Sequence, residues 1–295
     1  MSAPGTTLAL DIGGTKILAA LVEASAVVDS FEMATPRDGN PSGWLDTLSG
    51  HTAHWNGRYS RAGVAVTGII DDGCWSALNK KTLDLPDRFP LTATVSALFA
   101  CPAFAANDAQ AAAWGEYRFG AGAGEDMVFL TISTGIGGGI IAGGRLLTGI
   151  AGHFGLFRLQ DFEGSGAVDS ALEDHISGHW MAGMAAAHEK AVTARYIFET
   201  ARGGASWAEE IIATSARRTA ILCRNVQLAL DPSRIVIGGG IGLAPGFLER
   251  IEACLEDMPA RLRPRLVAAR LGDKAGVVGI ADLANNQPEN KGEMI

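Results

Sequence analysis

The sequence predicts an α/β protein of two domains, and three observations predict it. The chain has 295 residues, more than one domain usually holds. Strand-like runs alternate with helical ones along most of it, the pattern of sheets with helices packed on them. A strand, glycine-turn, strand unit at residues 6–28 recurs in kind at residues 127–144, which suggests an internal duplication of architecture.

The first unit reads as the strand TLALDI, a Gly-Gly turn, the strand KILAALVE and a third strand beginning near Val27, a β-meander. Residues 43–56 place apolar side chains at 44, 45, 48 and 55, a helical pattern with an internal glycine. Ala62–Ile70 reads as a buried strand, and Leu91–Phe99 as a helix leading to the strand Ala103–Ala106. Ala109–Gly120 has high helix propensity and starts just after Asn107-Asp108, a pair suited to helix initiation. That helix carries the chain out of the first domain. The second unit is the strand MVFLTIS, the turn TGIGGG and the strand IIAGG. Residues 180–230 then read as helices, RIVIGGGIG as a strand running into a glycine loop, and Ala275–Asn286 as a final helix before a polar tail from Gln287. The lobes expected are residues 1–117 with 275–290, and residues 118–274.

Composition narrows the function. Hydrophobic residues make up 47% of the chain and charged ones 19%, as in an ordinary globular protein. A net charge of −8 leaves no basic footprint for nucleic acid. Cys74, Cys101, Cys223 and Cys254 lie far apart with no CxxC pair, so neither a disulfide framework nor a zinc ribbon is indicated. No leader pattern opens the sequence, and no window approaches the length of a membrane span. A soluble, cytoplasmic protein is expected, with neither membrane nor nucleic acid as a partner.

Chemistry concentrates at the glycine turns. In Asp11-Ile12-Gly13-Gly14-Thr15-Lys16, paired glycines let backbone N–H groups approach an anion with no Cβ in the way. Asp11 at the strand end is placed to hold Mg²⁺ through water, with a hydroxyl and a cation following at Thr15 and Lys16. A plain tight hairpin would explain this turn taken alone. The second turn is harder to explain that way: Gly135, Gly137, Gly138 and Gly139 put four glycines in five positions behind the hydroxyl of Thr134. That density favours close approach to a phosphate. Gly238, Gly239 and Gly240 follow a buried strand and either cap a helix or let a flat ring lie against the backbone. Asn107-Asp108 by itself is an N-cap; between two phosphate turns, Asp108 is well placed as general base for phosphoryl transfer. Asn79, in a polar turn, offers an amide to hydroxyls or is simply a surface residue. His175 and His179 form an i, i+4 pair read as a solvated helix face.

DIGGTK, VTG at Val66–Gly68, NDAQAAAWGE at Asn107–Glu116, STGIGGG, LLTG at Leu146–Gly149, AGHFG and VIGGG resemble, in order and spacing, the sugar kinases of the ROK (repressor, open reading frame, kinase) family. The resemblance covers nearly the whole chain. It implies an actin-like ATPase (ribonuclease H-like) fold of two α/β lobes with ATP and sugar meeting in a cleft between them. Gly13, Gly14, Thr15 and Lys16, with Thr134, Gly135, Gly137, Gly138 and Gly139, match the phosphate motifs; Gly239 and Gly240 match the adenosine motif; Asp108 matches the base. Gly68, Asn79, Asn107, Asp108, His153 and Glu173 match the substrate-binding positions. NDAQAAAW, and AGH where many members have AGE, resemble the members acting on N-acetyl-D-mannosamine at O6 in sialic acid breakdown. Glucose, fructose or another N-acetylhexosamine is the alternative substrate. The resemblance also implies ATP with Mg²⁺, and a homodimer.

One departure stands out. The family's structural zinc takes one His and three Cys, whereas Leu156 stands at the His position and Phe157–Ala171 contains no cysteine. No zinc is expected. The family's transcription regulators carry an N-terminal helix-turn-helix domain, for which DIGGTK at position 11 leaves no room. Retention of Asp11, Asp108 and both glycine turns favours a working kinase over a catalytically dead sugar-binding protein.

Overall fold

The computed structural model describes residues 5–78, 83–160, 169–188 and 192–287. It divides into two compact units, Met1–Gly115 with Asp273–Ile295, and Glu116–Gly272. Each is built on a five-stranded sheet with its own buried core.

In the first unit β1 (Thr7–Ile12), β2 (Lys16–Glu23) and β3 (Ala26–Ala34) form the antiparallel meander. β4 (Arg61–Val66) and β7 (Ala103–Asn107) run parallel to β1, giving the order β3-β2-β1-β4-β7. β5 (Ile69–Asp71) and β6 (Cys74–Ser76) make a separate hairpin. The strand expected over Ala62–Ile70 therefore stops at Val66. Gly68 (φ +130°) turns the chain there, and a Cβ on it would lie 2.5 Å from the Ser76 carbonyl oxygen.

α1 (Pro41–His51) is capped by Asn40, whose side chain accepts from the Gly43 N–H, and starts on a proline. It ends five residues before the expected stretch does, and a 3₁₀ turn at Ala53–Trp55 takes its place. α2 (Leu91–Phe99) and α3 (Asp108–Phe119) follow, then the final helix α9 (Ala275–Asn285), which packs on β1, β4 and β7. Its close approach needs glycines: side chains on Gly63, Gly115 and Gly279 would strike the carbonyls of Ile280, Ala275 and Ala111. Trp114 Nε1 donates to Asp282 at 2.7 Å across the same seam.

The second unit repeats the arrangement. β8 (Met127–Ile132), β9 (Ile136–Ala142) and β10 (Arg145–Leu146) are antiparallel. β11 (Arg234–Gly238) and β12 (Leu266–Ala268) run parallel to β8, in the order β10-β9-β8-β11-β12. Around the sheet lie α4 (Gly178–Ala185), α5 (Ala194–Arg202), α6 (Ser206–Leu230), a single turn α7 (Gly239–Gly242) and α8 (Phe247–Ala253).

Three sequence expectations change here. Gly137, Gly138 and Gly139 lie inside β9, not in the turn, which is confined to residues 133–135. The glycine loop after β11 is instead the helical turn α7. Gly239 (φ +82°) permits it, because a side chain there would strike the backbone of Ile132. His175 and His179 do not share a helix: a 3₁₀ turn ends at His175, and Ser177 caps α4 by accepting from the Trp180 N–H.

At the start of the second unit, buried Glu116 gathers three backbone donors, from Ala121 (2.7 Å), Arg270 (2.9 Å) and Leu271 (2.7 Å). Among the described residues no helix is long and apolar enough to cross a membrane.

Candidate active site

The parallel strands β1, β4 and β7 end level with one another, Ile12 opposite Val66 and Val66 opposite Asn107. Their carboxyl ends bring Asp11, the turn at Gly13–Lys16, Gly68, Asn107 and Asp108 to one edge of the sheet, the edge where open α/β sheets bind ligands. The turn closes through Gly13 N–H donating to the Lys16 carbonyl at 3.0 Å. Thr35, 22 residues on, holds it from the side: its hydroxyl donates to the Gly13 carbonyl at 2.7 Å and its N–H to that of Thr15 at 3.0 Å. Gly14 is half-buried, while Thr15 and Lys16 are exposed. Lys16 pairs with Glu32 at 2.9 Å, which holds its ammonium above the usual range.

Asp11 is half-buried, and its carboxyl is pushed up to about 7, first by desolvation and second by the charge of Asp108, against Lys16. Two acidic side chains close enough to feel each other's charge make an edge that favours a cation, and oxygen donors of this kind suit Mg²⁺. Asp108 Oδ2 accepts from the Thr67 hydroxyl at 2.7 Å, and its Oδ1 from the Ala109 N–H at 2.8 Å. Asn107 caps α3, its Oδ1 accepting from Ala109 (3.0 Å) and Gln110 (3.2 Å) while Nδ2 donates to the Gly68 carbonyl at 3.0 Å. Its amide is thus engaged with its own chain. Asn79 lies outside the described residues.

In the second unit β8 and β11 end side by side, Thr131 opposite Gly238. The turn after β8 exposes Thr134 and receives the start of α4: Gly178 N–H donates to the Ser133 carbonyl (2.7 Å) and His179 N–H to that of Thr134 (3.3 Å). Glu173 reaches the same hairpin, accepting from the Ile136 N–H at 3.4 Å beside Gly135 and Gly155. Burial raises its carboxyl above the usual range, Asp174 adds to this, and the Ile136 N–H and His153 offset part of it. His153 lies near enough to Glu173 for its charge to be felt there. Its Nδ1 lies 3.1 Å from the Ile150 carbonyl oxygen, and its Nε2 is buried with no partner among the described residues. Gly240 is exposed with open space where a side chain would be.

Of the segment where the family's zinc motif would lie, residues 161–168 fall outside the described residues. Leu156 is exposed, and the neck of the segment is closed by backbone, through an Arg158–Ala171 bridge and the bonds Leu159 N–H to Ser170 and Leu172 N–H to Phe157. Among the described residues no three His, Cys, Asp or Glu side chains cluster as a metal site.

The model of the ROK family matches residues 7–287. The chain belongs to the ROK family. A bifunctional enzyme NanE/NanK from Brucella melitensis biotype 1 is 46% identical over 278 residues, covering 94% of this chain and 53% of the relative, so the chain spans about half that relative's length. An N-acetylmannosamine kinase from Escherichia coli O9:H4 is 40% identical, covering 96% of this chain and 99% of the relative. Among solved structures, a ROK family glucokinase from Streptomyces griseus, in complex with glucose and AMPPNP, superposes with a TM-score of 0.79 at 31% identity, over 96% of this chain and 100% of the other. The actin-like ATPase fold of the ROK sugar kinases is the fold of this chain.

Within this ROK site, sequence reading passed over Thr67 and Thr35. Thr67 sits inside the VTG run and Thr35 is the first residue beyond β3. No local pattern joins either to its partner, 41 and 22 residues away.

Proposed function

We propose that this chain is an ATP-dependent kinase of N-acetyl-D-mannosamine that transfers the γ-phosphoryl group to O6. The observation that carries the chemistry is Asp108, a carboxylate held at the carboxyl end of β7 by Thr67 and the Ala109 N–H. In this reading Asp108 takes the proton of the 6-hydroxyl as O6 bonds to the γ-phosphorus, and the bond to the ADP oxygen breaks. The amides of the Gly13–Lys16 turn and of Thr134–Gly139 hold phosphate oxygens, and Gly239 and Gly240 lie against the adenosine. Asp11 holds Mg²⁺ through water, and the ion when bound neutralises charge on the phosphates. Gly68, Asn79, Asn107, His153 and Glu173 serve the sugar. The orphaned Nε2 of His153 supports that role, since a buried polar atom calls for a partner. Most of the rate comes from positioning and electrostatics.

The preference for N-acetyl-D-mannosamine is supported by the 40% identity to an N-acetylmannosamine kinase over almost all of that protein. A glucose kinase is the second reading, favoured by the likeness to the glucokinase. An ADP-release assay over a hexose panel decides between them: faster turnover of glucose or fructose than of N-acetyl-D-mannosamine would overturn the first. The reading places the protein in the cytoplasm as a homodimer without zinc. Elemental analysis showing one zinc per chain would contradict the last of these.

A further inference from the structure

Thr67 lies one residue beyond β4 and has no place in the nucleotide, sugar or cation roles above. Its hydroxyl donates to Asp108 Oδ2 at 2.7 Å. The residue is itself tied on every side. Its N–H donates to the Ile12 carbonyl at 3.2 Å, and its carbonyl accepts from the indole N–H of fully buried Trp75 at 3.0 Å. The next carbonyl, that of Gly68, accepts from Asn107 at 3.0 Å, so the chain beside Asp108 also anchors the chain beside Thr67. Gly68 can carry no side chain, because a Cβ would press on the Ser76 carbonyl and lie 3.0 Å from Trp75 Nε1. A branched side chain on so fixed a backbone has little rotamer freedom. The hydroxyl is therefore delivered to one point in space.

We propose that Thr67 is a positioning residue for phosphoryl transfer, its hydroxyl fixing the orientation of the Asp108 carboxylate toward the acceptor hydroxyl. The inference rests on the reading of Asp108 as the base. A carboxylate oxygen has lone pairs to spare after accepting one hydrogen bond, so the Thr67 bond leaves capacity for the incoming proton. Without the Thr67 bond the carboxylate loses one of its tethers, and its broad outer torsion is less restrained. A misplacement of about 1 Å at a reacting group costs on the order of 100-fold in rate.

The test uses Thr67→Val, which keeps the shape and removes the donor, with Thr67→Ser, which keeps the donor, and Asp108→Asn. Thr67→Val is expected to lower kcat roughly 10- to 100-fold, while KM for ATP and sugar and the melting temperature stay near wild type. Thr67→Ser is expected to recover most of the loss. Thr67→Ala serves as the donor-free variant if valine prevents folding. A loss carried by KM alone, a valine variant as fast as wild type, or a serine variant as slow as the valine one overturns the inference. If Asp108→Asn turns over normally, the base reading falls and takes the inference with it. If Asp108→Asn is inactive while Thr67→Val is unimpaired, the inference alone fails.

Discussion

The ring of Phe154 lies 2.7 Å from the point a Cβ on Gly138 would occupy, and the Phe129 carbonyl oxygen crowds the same point. Part of the glycine density at residues 135–139 thus answers to the chain's own packing and not to a ligand. Gly138→Ala is expected to destabilise the protein by about 1–3 kcal/mol, since neither a buried ring nor a strand carbonyl yields cheaply. Thermal denaturation reads this directly. An unchanged midpoint would mean that Phe154 moves aside at no cost.

Asp108→Asn removes the proton acceptor and keeps the size. Turnover is expected to fall by roughly 10²- to 10⁴-fold, with ATP affinity by calorimetry little altered. Near-normal turnover would place the base elsewhere.

Asp11 gives the ligand-free protein a pH-dependent stability. Its carboxyl lies at about 7 in the fold against an ordinary 3.8, so the folded state holds its proton more tightly than the unfolded chain does. The cost of ionising it is absent below about pH 4, grows between about 4 and 7, and is complete above. Stability from this group therefore falls as pH rises through that window. Asp11→Asn should match wild type near pH 4 and exceed it at pH 8 by on the order of 1–3 kcal/mol, measured by urea denaturation without metal or nucleotide. A variant less stable than wild type at pH 8 would contradict this.

Glu116 accepts three N–H groups and meets no solvent. Glu116→Gln turns one acceptor oxygen into a donor facing a donor, for an expected loss of about 1–3 kcal/mol. The urea midpoint checks it, and a midpoint equal to wild type would show that the Arg270–Leu271 loop rearranges freely.

Much of the fold was legible because its signals are local. The helix Leu91–Phe99 and the three-stranded meander follow from periodicity and from turns between short apolar runs. The errors came where tertiary packing decides. Gly68 ends β4 because the β5–β6 hairpin leaves no room for a side chain, and Gly137–Gly139 read as a turn although they extend β9. The pair His175 and His179 kept helical spacing across a chain that breaks at Ser177. At the candidate site the strand ends and turns could be read from neighbouring residues. The hydroxyls of Thr35 and Thr67 could not, since their partners are remote in sequence and adjacent only once the sheet exists.

The helix α9 belongs to the unit whose strands were laid down first. A ribosome making this chain delivers the complete β1-β4-β7 sheet early, then must translate all of Glu116–Gly272 before the helix that covers it emerges. At 5–20 residues per second that interval is roughly 10–30 s. The second unit is continuous and meets no such wait, so it is the natural first domain to fold, and the older half of the chain is the one a chaperone would have to shield.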